Sequence, residues 1–465
     1  MILDSEQKKA TKIIDKHTLI IAGAGSGKTT TLIGKINYLI KLGIKEEDIL
    51  VISYTNETVN SFKEKCKFTI DVMTFHKLAK CIINSDKEII EEEHLQKFII
   101  LFLENIPNNL KKKLYFYNFY KIYTKKRYKN NINTNTAESL TNYLFSTVKN
   151  IKANAIDFKK INSSRFSKKE LLILYCSNVI INKYDKYLET NELIDFDNMI
   201  IEATDLLKNK RYINKYKYIL VDEFQDISKI RLDFLIALLK SNNSILTAVG
   251  DDFQSIYGFS GSNINIFFDF KKYFNNSEIL YITKTYRCPQ SIISKAGKFI
   301  MKNPKQIKKE LISVNKIKSK IIKVYSNNQR KDLIRIIDMY KDTNYSILII
   351  GRNNFDINLL KNNNYKIDNS YMIINNIQYK NIRYLTIHKS KGLEADIVII
   401  INLTNKINGI PSKQNNKLVS KLLDSSDSYK YAEERRLFYV ALTRCKIKTY
   451  LLIDNNNPSI FVKEI

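Results

Sequence analysis

The sequence predicts an α/β protein built from two parallel sheets, the first interrupted by a helical insertion. Three observations lead there. Short apolar runs bounded by turn residues recur along the chain, helical periodicity fills most gaps between them, and one stretch, 81–189, breaks the alternation. Apolar runs that short suit parallel strands covered on both faces. Their alternation with helical segments is the pattern of a βαβ sheet.

In chain order, Thr18-Leu19-Ile20-Ile21-Ala22 is the first such run and ends in glycines. A helical pattern follows over 30–42, then a strand at Ile49-Leu50-Val51-Ile52-Ser53 and a second helical pattern over 59–66. Residues 81–189 are rich in Lys and Tyr, nearly free of Gly and Pro, and helical in pattern. Strands resume at Tyr218-Ile219-Leu220-Val221 and Ile245-Leu246-Thr247-Ala248-Val249. A second set follows at 345–351, 382–386, 397–401 and 449–453. The expected organisation is therefore 1–80 and 190–283 as two parts of one α/β domain, 81–189 as its insertion, and 284–465 as a second α/β domain. Asn-rich stretches at 130–135, 361–364 and 454–457 read as surface loops.

Composition narrows the function. At 465 residues the chain has room for about three domains, and 44% hydrophobic content supports real cores. Its 76 Lys and Arg against 47 Asp and Glu give a formal net charge of +29. A surplus that large points to a polyanion, nucleic acid before an anionic membrane. The excess of Ile, Lys, Asn and Tyr suggests an AT-rich coding genome, and codon bias accounts for part of the charge on that reading. Five cysteines, none in a CxxC pair, and four histidines argue against a zinc ribbon, a Cys-ligated cluster or a disulfide scaffold. No apolar run reaches the length needed to span a bilayer. The first residues are acidic and do not match a signal peptide, so a cytoplasmic protein is expected.

The strongest motif is Ala22-Gly23-Ala24-Gly25-Ser26-Gly27-Lys28-Thr29, which follows a strand and opens a helix. Backbone N–H groups of such a loop, aided by the helix N-terminus, bind phosphates. Lys28 would reach the β- and γ-phosphates and the Thr29 hydroxyl would ligate magnesium. Ala22 stands where the first glycine is usual. A nucleotide site also needs carboxylates, and Ile219-Leu220-Val221-Asp222-Glu223 supplies them at a strand end. Asp222 would hold magnesium and Glu223 would orient or deprotonate the attacking water. ATP and Mg2+ are therefore the expected cofactors.

From here the chain resembles superfamily 1 helicases of the UvrD/Rep/PcrA type, with the motifs in family order over nearly its whole length. Leu3-Asp4-Ser5-Glu6-Gln7 resembles the Q motif, which implies that Gln7 reads the adenine edge. Ile52-Ser53-Tyr54-Thr55-Asn56 and Thr74-Phe75-His76 resemble motifs Ia and Ib, which line the single-strand path in the family. Leu193-Ile194-Asp195-Phe196-Asp197-Asn198-Met199 matches a segment that precedes the acidic strand. Val249 to Tyr257 resembles motif III, with Gln254 sensing the γ-phosphate. In Thr285-Tyr286-Arg287, which resembles motif IV, Tyr286 would stack on adenine and Arg287 would touch the γ-phosphate. The run from Leu385 to Glu394 resembles motif V, with Thr386 and His388 on the nucleic-acid path and Glu394 on the ribose. Glu433 to Arg444 resembles motif VI, with Arg444 as a second arginine finger. The resemblance implies two RecA-like P-loop NTPase domains flanking an ATP cleft that closes with ATP and opens with ADP.

The departures matter as well. Thr30, counted with the nucleotide site, stands where several relatives carry an adenine-stacking arginine. Tyr257-Gly258-Phe259-Ser260-Gly261 replaces the usual Trp and Arg, leaving Phe259 as a smaller stacking surface. Arg287 and Thr386 lie only about 100 residues apart, too close for the large 2B insertion that relatives place there, so 2B is expected to be absent or vestigial. Tyr54, Phe75, Tyr257 and Phe259 are the candidate base platforms. His76 and His388 would contact phosphate or serve as structural hydrogen-bonders. The basic and aromatic run at 111–127 reads either as a nucleic-acid face or as a solvated helix with aromatics in its core.

The expected activity is that of an ATP-dependent 3′-to-5′ DNA helicase or translocase acting on single-stranded DNA or DNA with a 3′ tail. The compact form also looks like the helicase-like subunit of the Gabija anti-phage system, which implies an alternative role as a DNA-sensing ATPase with a nuclease partner. An RNA helicase is a third reading, because stacking and phosphate contacts serve both nucleic acids.

Overall fold

The computed structural model describes residues 2–106, 108–116, 137–360, 364–413, 417–423 and 429–465. Beyond residue 116 the basic and aromatic run lies outside the described residues, as do 130–135 and 361–363 of the Asn-rich stretches. Among the described residues, no helix is long and apolar enough to cross a membrane.

The first sheet has six parallel strands in the order Asp71–Thr74, Ile49–Ser53, Tyr218–Val221, Ile245–Gly250, His17–Ala22, Ser277–Ile282. The central strands are mostly apolar, and nearly every residue in them is buried, because both faces are covered. Leu19, Ile21, Leu50, Ile52, Ile219 and Val221 enter one core with the helices Phe196–Lys208 and Lys229–Ser241. The alternate residues Ile20, Ala22, Ile49, Val51 and Leu220 enter the opposite core with the helix Lys28–Lys41. This period-two division is the strand geometry itself. Burying each such side chain contributes about 1.5–3 kcal/mol.

The second sheet has seven strands in the order Ile321–Ser326, Cys445–Asp454, Ala395–Leu403, Ile347–Gly351, Ile377–Thr386, Tyr371–Ile374, Tyr365–Asp368. Five are parallel and the last two form an antiparallel hairpin on the edge. Leu348 and Ile350 face one core, Ile347 and Ile349 the other. Between Arg287 and Thr386 the described elements are strands of this sheet, the helices Gln290–Ile300 and Gln329–Asp338, the short 3-10 helix Asn354–Leu359, and the strand Ile312–Ser313, which pairs in parallel with Lys284–Thr285. The two sheets share one core, since Ala24, Phe253 and Ile256 of the first pack with Leu437, Phe438 and Tyr439 of the helix Ala432–Leu442.

The helix Phe75–Ile83 still packs on the first sheet through Leu78, Ala79 and Ile82. The chain departs at Glu88–Ile90, which pairs in parallel with Leu193–Asp195, where it returns. Between them the helices Glu92–Glu104, Ala137–Ala153 and Lys168–Thr190 enclose a separate core that includes Ile99, Leu144, Ile180 and Tyr184. Leu418, on the helix Lys417–Leu422 from the second-sheet half of the chain, enters that same core. Lys421 pairs there with Glu170 at 2.7 Å.

Candidate nucleotide and nucleic-acid site

Strand His17–Ala22 lies between Ile245–Gly250 and Ser277–Ile282, and its C-terminal end delivers the glycine loop to the helix starting at Lys28. Ligands of open α/β sheets bind at such strand ends. The loop is held by the rest of the chain. Thr285 donates its hydroxyl to the Ala24 carbonyl at 2.7 Å, and the Tyr286 N–H donates to the Gly25 carbonyl at 2.9 Å. Gly25 has φ +71°, and a Cβ there would sit 2.5 Å from Arg287 Cβ. Only glycine combines that conformation with so close an approach. Ala22, Gly23 and Ala24 are buried, Ser26 donates to the Gly23 carbonyl, and Thr29 and Thr30 stand half-buried in the first turn of the helix.

Lys28 Nζ lies 3.2 Å from Glu223 Oε1. Glu223 occupies the left-handed region at φ +51°, a conformation that costs a non-glycine residue about 1–3 kcal/mol and recurs at functional sites. Burial pushes its carboxyl upward, but Lys28 and Lys391 outweigh that and hold it low and ionised. Asp222 moves the opposite way: burial raises its carboxyl, and the neighbouring Glu223 charge raises it further. Two adjacent carboxylates thus have their titrations driven apart, as acid–base sites require.

The second sheet's contribution reaches the same place. Arg444, 1% exposed, donates to Gln254 Oε1 at 3.1 Å and to the Val440 carbonyl at 2.9 Å. Gln254 also donates to Asp251. Arg287 donates through Nε to Glu394 at 2.8 Å, and Lys446 pairs with Glu394 at 3.1 Å. Glu394, expected on the ribose, therefore pairs with Arg287 and Lys446 here. Gln7 is buried, donates to the Ser26 carbonyl at 3.1 Å and accepts from the Asp4 N–H. Tyr286 is 46% exposed and donates its hydroxyl at 2.8 Å to Asp4, the same residue whose N–H bonds Gln7.

Lys391 was not singled out by the sequence reading, yet it crosses between the sheets. It pairs with Asp226, lies 3.7 Å from Glu223, and donates to the Gln254 carbonyl at 2.9 Å. Its position two residues after the motif-like Lys389 is the signal that could have found it. Lys309 is a second such cation, buried against Asp251 at 2.7 Å and Asp252.

On the nucleic-acid side, Tyr257 and Phe259 stand beside His388, with ring centroids 6.1 and 5.1 Å from it. Phe259 is 51% exposed. Tyr54, Thr55 and His76 line a cavity of about 340 Å³ with Tyr257, Tyr184 and Arg231, and Asn56 is exposed at the start of the following helix. Phe75 is a correction. It is 2% exposed, edge-on to Tyr54 and Phe234 in the sheet core, and cannot stack on a base. Thr74 and Thr386 are also buried; their hydroxyls accept from the N–H groups of Lys77 and Lys389. Burial, reinforced by nearby cations, holds His76 and His388 down to about 3, so both are neutral at physiological pH and bring no charge to a phosphate.

Comparison with known proteins now bears on this geometry. Residues 3–275 match the UvrD/REP helicase N-terminal domain and residues 357–456 the UvrD-like helicase C-terminal domain. The chain belongs to the UvrD/Rep helicase family. It is 29% identical to DNA helicase IV of Escherichia coli (strain K12), over 99% of this chain and 69% of that protein. It is 30% identical to the ATP-dependent DNA helicase Rep of Buchnera aphidicola subsp. Acyrthosiphon pisum, over 97% and 69%. A probable DNA helicase of Mycoplasma pneumoniae is 28% identical over 100% of this chain and 87% of its own length. Within the UvrD/Rep frame, the N-terminal match spans the phosphate loop, both acids and the helical segment, and the C-terminal match spans Thr386 at a strand end and Glu394 and Arg444 just before the strands Ala395–Leu403 and Cys445–Asp454.

Proposed function

We propose that this chain is a DNA motor that moves 3′ to 5′ on single-stranded DNA, driven by ATP hydrolysis in the cleft between its two sheets. Membership of the UvrD/Rep helicase family makes it an ATP-hydrolysing enzyme; the direction, the metal and the single-strand substrate are the proposal. The observation that carries it is the convergence at one strand end of Lys28 and Glu223 from one sheet with Arg287 and Arg444 from the other.

In this reading the glycine loop and Lys28 bind the phosphates, and Tyr286 and Gln7 take the adenine. Glu223, held ionised, orients a water against the γ-phosphorus and accepts its proton, while Arg287 and Arg444 stabilise charge on the transferred phosphoryl group. Glu394 and Gln254 hold the two fingers in place before nucleotide arrives. Asp222 and Thr29 would hold magnesium. The fit rests on Asp222, a buried carboxylate at the strand end that accepts the Glu223 N–H at 2.8 Å and whose burial raises it. Bound there, the ion would supply positive charge to the β- and γ-phosphates. Loss of the γ-phosphate removes what both fingers hold, and the cleft is free to reopen.

The test pairs Lys28→Ala with Glu223→Gln. Lys28→Ala should lose both nucleotide affinity and turnover; Glu223→Gln should keep affinity while turnover nearly stops. Arg287→Ala and Arg444→Ala should each lower turnover by about 10³-fold. Wild-type ATPase should rise with single-stranded DNA and little with blunt duplex. Stimulation by RNA alone would overturn the DNA assignment. Strand-stimulated ATPase without unwinding of a 3′-tailed duplex would favour a translocase, or a DNA-sensing ATPase serving a nuclease, over a helicase.

A further inference from the structure

Residues 295–323 hold ten lysines and a single acid, Glu310. The whole chain carries 47 acidic against 76 basic residues, so a lysine-rich genome does not by itself clear carboxylates from one stretch. Lys309 is buried on its two aspartates, and the other lysines of the stretch are exposed. Apart from Lys302, on Glu464 at 3.2 Å, none of the exposed ones stands within ion-pair distance of a carboxylate among the described residues.

The fold gathers these charges. On the helix Gln290–Ile300, Lys295 and Lys298 share a stripe that Lys302 continues, while Ile292, Ile293, Ala296, Phe299 and Ile300 are buried in the core of the second sheet. Ser291 donates its hydroxyl to the Ser319 carbonyl, which sets Lys318 and Lys320 beside the first turn of that helix. The edge strand Ile321–Ser326 adds Lys323. Partial burial, then the charge of Lys295, pulls the Lys323 ammonium below its ordinary value, so the two cations feel each other. Lys323 donates to the Val462 carbonyl at 2.9 Å, with exposed Lys463 next in the chain. Like charges gathered without acids among them repel, and an anion laid across them relieves the repulsion. Four strand spacings, about 19 Å, separate this edge from the strand that ends at Thr386. The face is therefore distinct from the rings and cavity assigned to the single strand.

We propose that this face is a second DNA site, which holds double-stranded DNA by its phosphates without regard to sequence. It adds to the single-strand reading above and does not rest on it. Every cation between 295 and 323 is lysine, a point charge that suits phosphate and lacks the planar fork that reads base edges. The stripe from Lys295 to Lys302 is about 10 Å long, the rise of about three base steps along a duplex strand. A single-strand site needs a row of rings for unstacked bases; here Tyr325, 56% exposed, is the one exposed ring, and Phe299 is buried. The loop after the helix also reaches the nucleotide site. Leu311 packs against Gly23, and Asn315 donates to the Arg287 carbonyl at 2.7 Å and the Lys446 carbonyl at 2.9 Å. Exposed Ile312, Val314 and Ile317 form the apolar margin of the face on that loop. Duplex held on the lysines thus lies beside the residues that support Arg287.

The test is fluorescence anisotropy of the full chain with a labelled blunt duplex and with a labelled oligothymidylate, each over a salt series. The triple variant Lys295→Gln, Lys298→Gln, Lys320→Gln is compared with wild type and with a control of equal charge, Lys208→Gln, Lys210→Gln, Lys240→Gln, whose lysines are exposed at the C-terminal ends of the helices Phe196–Lys208 and Lys229–Ser241. At about 0.1 M salt the triple variant should bind duplex about ten-fold or more weakly. Its log–log salt slope should shrink by about 3, near one per lysine. Its oligothymidylate affinity and oligothymidylate-stimulated ATPase should stay within about two-fold of wild type, and the control should keep its duplex affinity within the same margin. Wild type that fails to bind duplex, or a triple variant that binds it as wild type does, overturns duplex binding at this face and leaves its charge to another anion such as an acidic protein. An equal loss in the control overturns it in favour of overall charge. A parallel loss of oligothymidylate binding in the triple variant overturns the second site in favour of one continuous path. Duplex binding that depends on the three lysines, in a protein whose ATPase no single strand stimulates, would support this face and overturn the single-strand reading alone.

Discussion

Replacing Lys391 by methionine keeps the side chain's length and removes its charge from between two buried carboxylates. Glu223 retains Lys28 at 3.2 Å, so the variant's main effect falls on Asp226, left with the Gln225 amide at 3.5 Å. Burial already raises the Asp226 carboxyl to about 6, with Lys391 pulling it down against that burial. Its folded pKa is thus above the unfolded value of about 3.9, so folding binds a proton and stability declines as pH rises from the unfolded value to the folded one. In the wild type that decline stops near 6. Without Lys391 the folded pKa moves higher and the decline continues. At about pH 7.5 the added loss is at most about 1.5 pKa units, or about 2 kcal/mol; at about pH 5, where Asp226 is protonated in both folded proteins, it is near zero. A loss of about 2 kcal/mol lowers the melting midpoint of a cooperative unit of about 150–250 residues, the size of the first α/β domain, by roughly 4–8 °C. Thermal melts of both proteins at the two pH values read the difference directly, and an Asp226→Asn background should erase it. An equal drop at both pH values, or one that persists in the Asp226→Asn background, would refute the pairing as the cause.

Gly25→Ala should reduce steady-state ATP turnover at least about ten-fold, because the new Cβ meets Arg287 Cβ at 2.5 Å in a left-handed backbone; turnover within two-fold of wild type would show that the loop and Arg287 need not touch. Phe75→Ala should destabilise the first sheet by about 3–5 kcal/mol in a melt, while Phe259→Ala should leave the melt unchanged and weaken single-strand binding by about 1–3 kcal/mol; the reverse pattern would restore Phe75 as a platform. Leu418→Asp should release the helix Lys417–Leu422 from the helical core, read as faster protease cleavage within 404–431, and unchanged cleavage would mean that the Lys421–Glu170 pair alone holds it.

What could be read from the sequence follows from where the information sits. Strands such as Ile49–Ser53 and Ile347–Gly351 were legible because both faces are buried, which leaves a run of four successive branched or aliphatic residues in each. The strands Asp71–Thr74, Ser277–Ile282 and Ile321–Ser326 escaped notice because they lie at sheet edges, and the last alternates Ile, Lys and Tyr against solvent. The edge hairpin at 365–374 is short and mixed in polarity for the same reason. The phosphate loop and the acids were legible because their chemistry is local. Lys391, Lys309 and Arg231 were not, since a lone cation gains meaning only from carboxylates and rings brought to it by folding. Phe75 was misread although a signal existed: Phe75, Leu78, Ala79 and Ile82 recur at helical spacing and mark a core-facing stripe.

The nucleotide site and the cavity lined by Tyr54, His76 and Tyr257 are joined by two short turns and one side chain. Glu223, on Lys28, and Asp226, in the cavity wall, are three residues apart. Gln254, on Arg444, and Tyr257, in the same wall, are also three apart. Lys391 grips both turns through Asp226 and the Gln254 carbonyl. A change at the γ-phosphate that moves Glu223 or Arg444 must therefore alter the cavity, and linkage makes the effect reciprocal: nucleotide changes strand affinity by the factor by which strand changes nucleotide affinity. Coupling of this kind is commonly about 5–150-fold. Strand dissociation constants measured with ADP and with a non-hydrolysable ATP analogue should differ by a factor in that range for the wild type. In Lys391→Met the ratio should fall toward one, at about pH 7.5 where the variant remains folded, while each site keeps its own ligand. A variant that retains the full wild-type ratio would show that the signal travels through the shared core around Tyr439 and Phe253 instead of through Lys391.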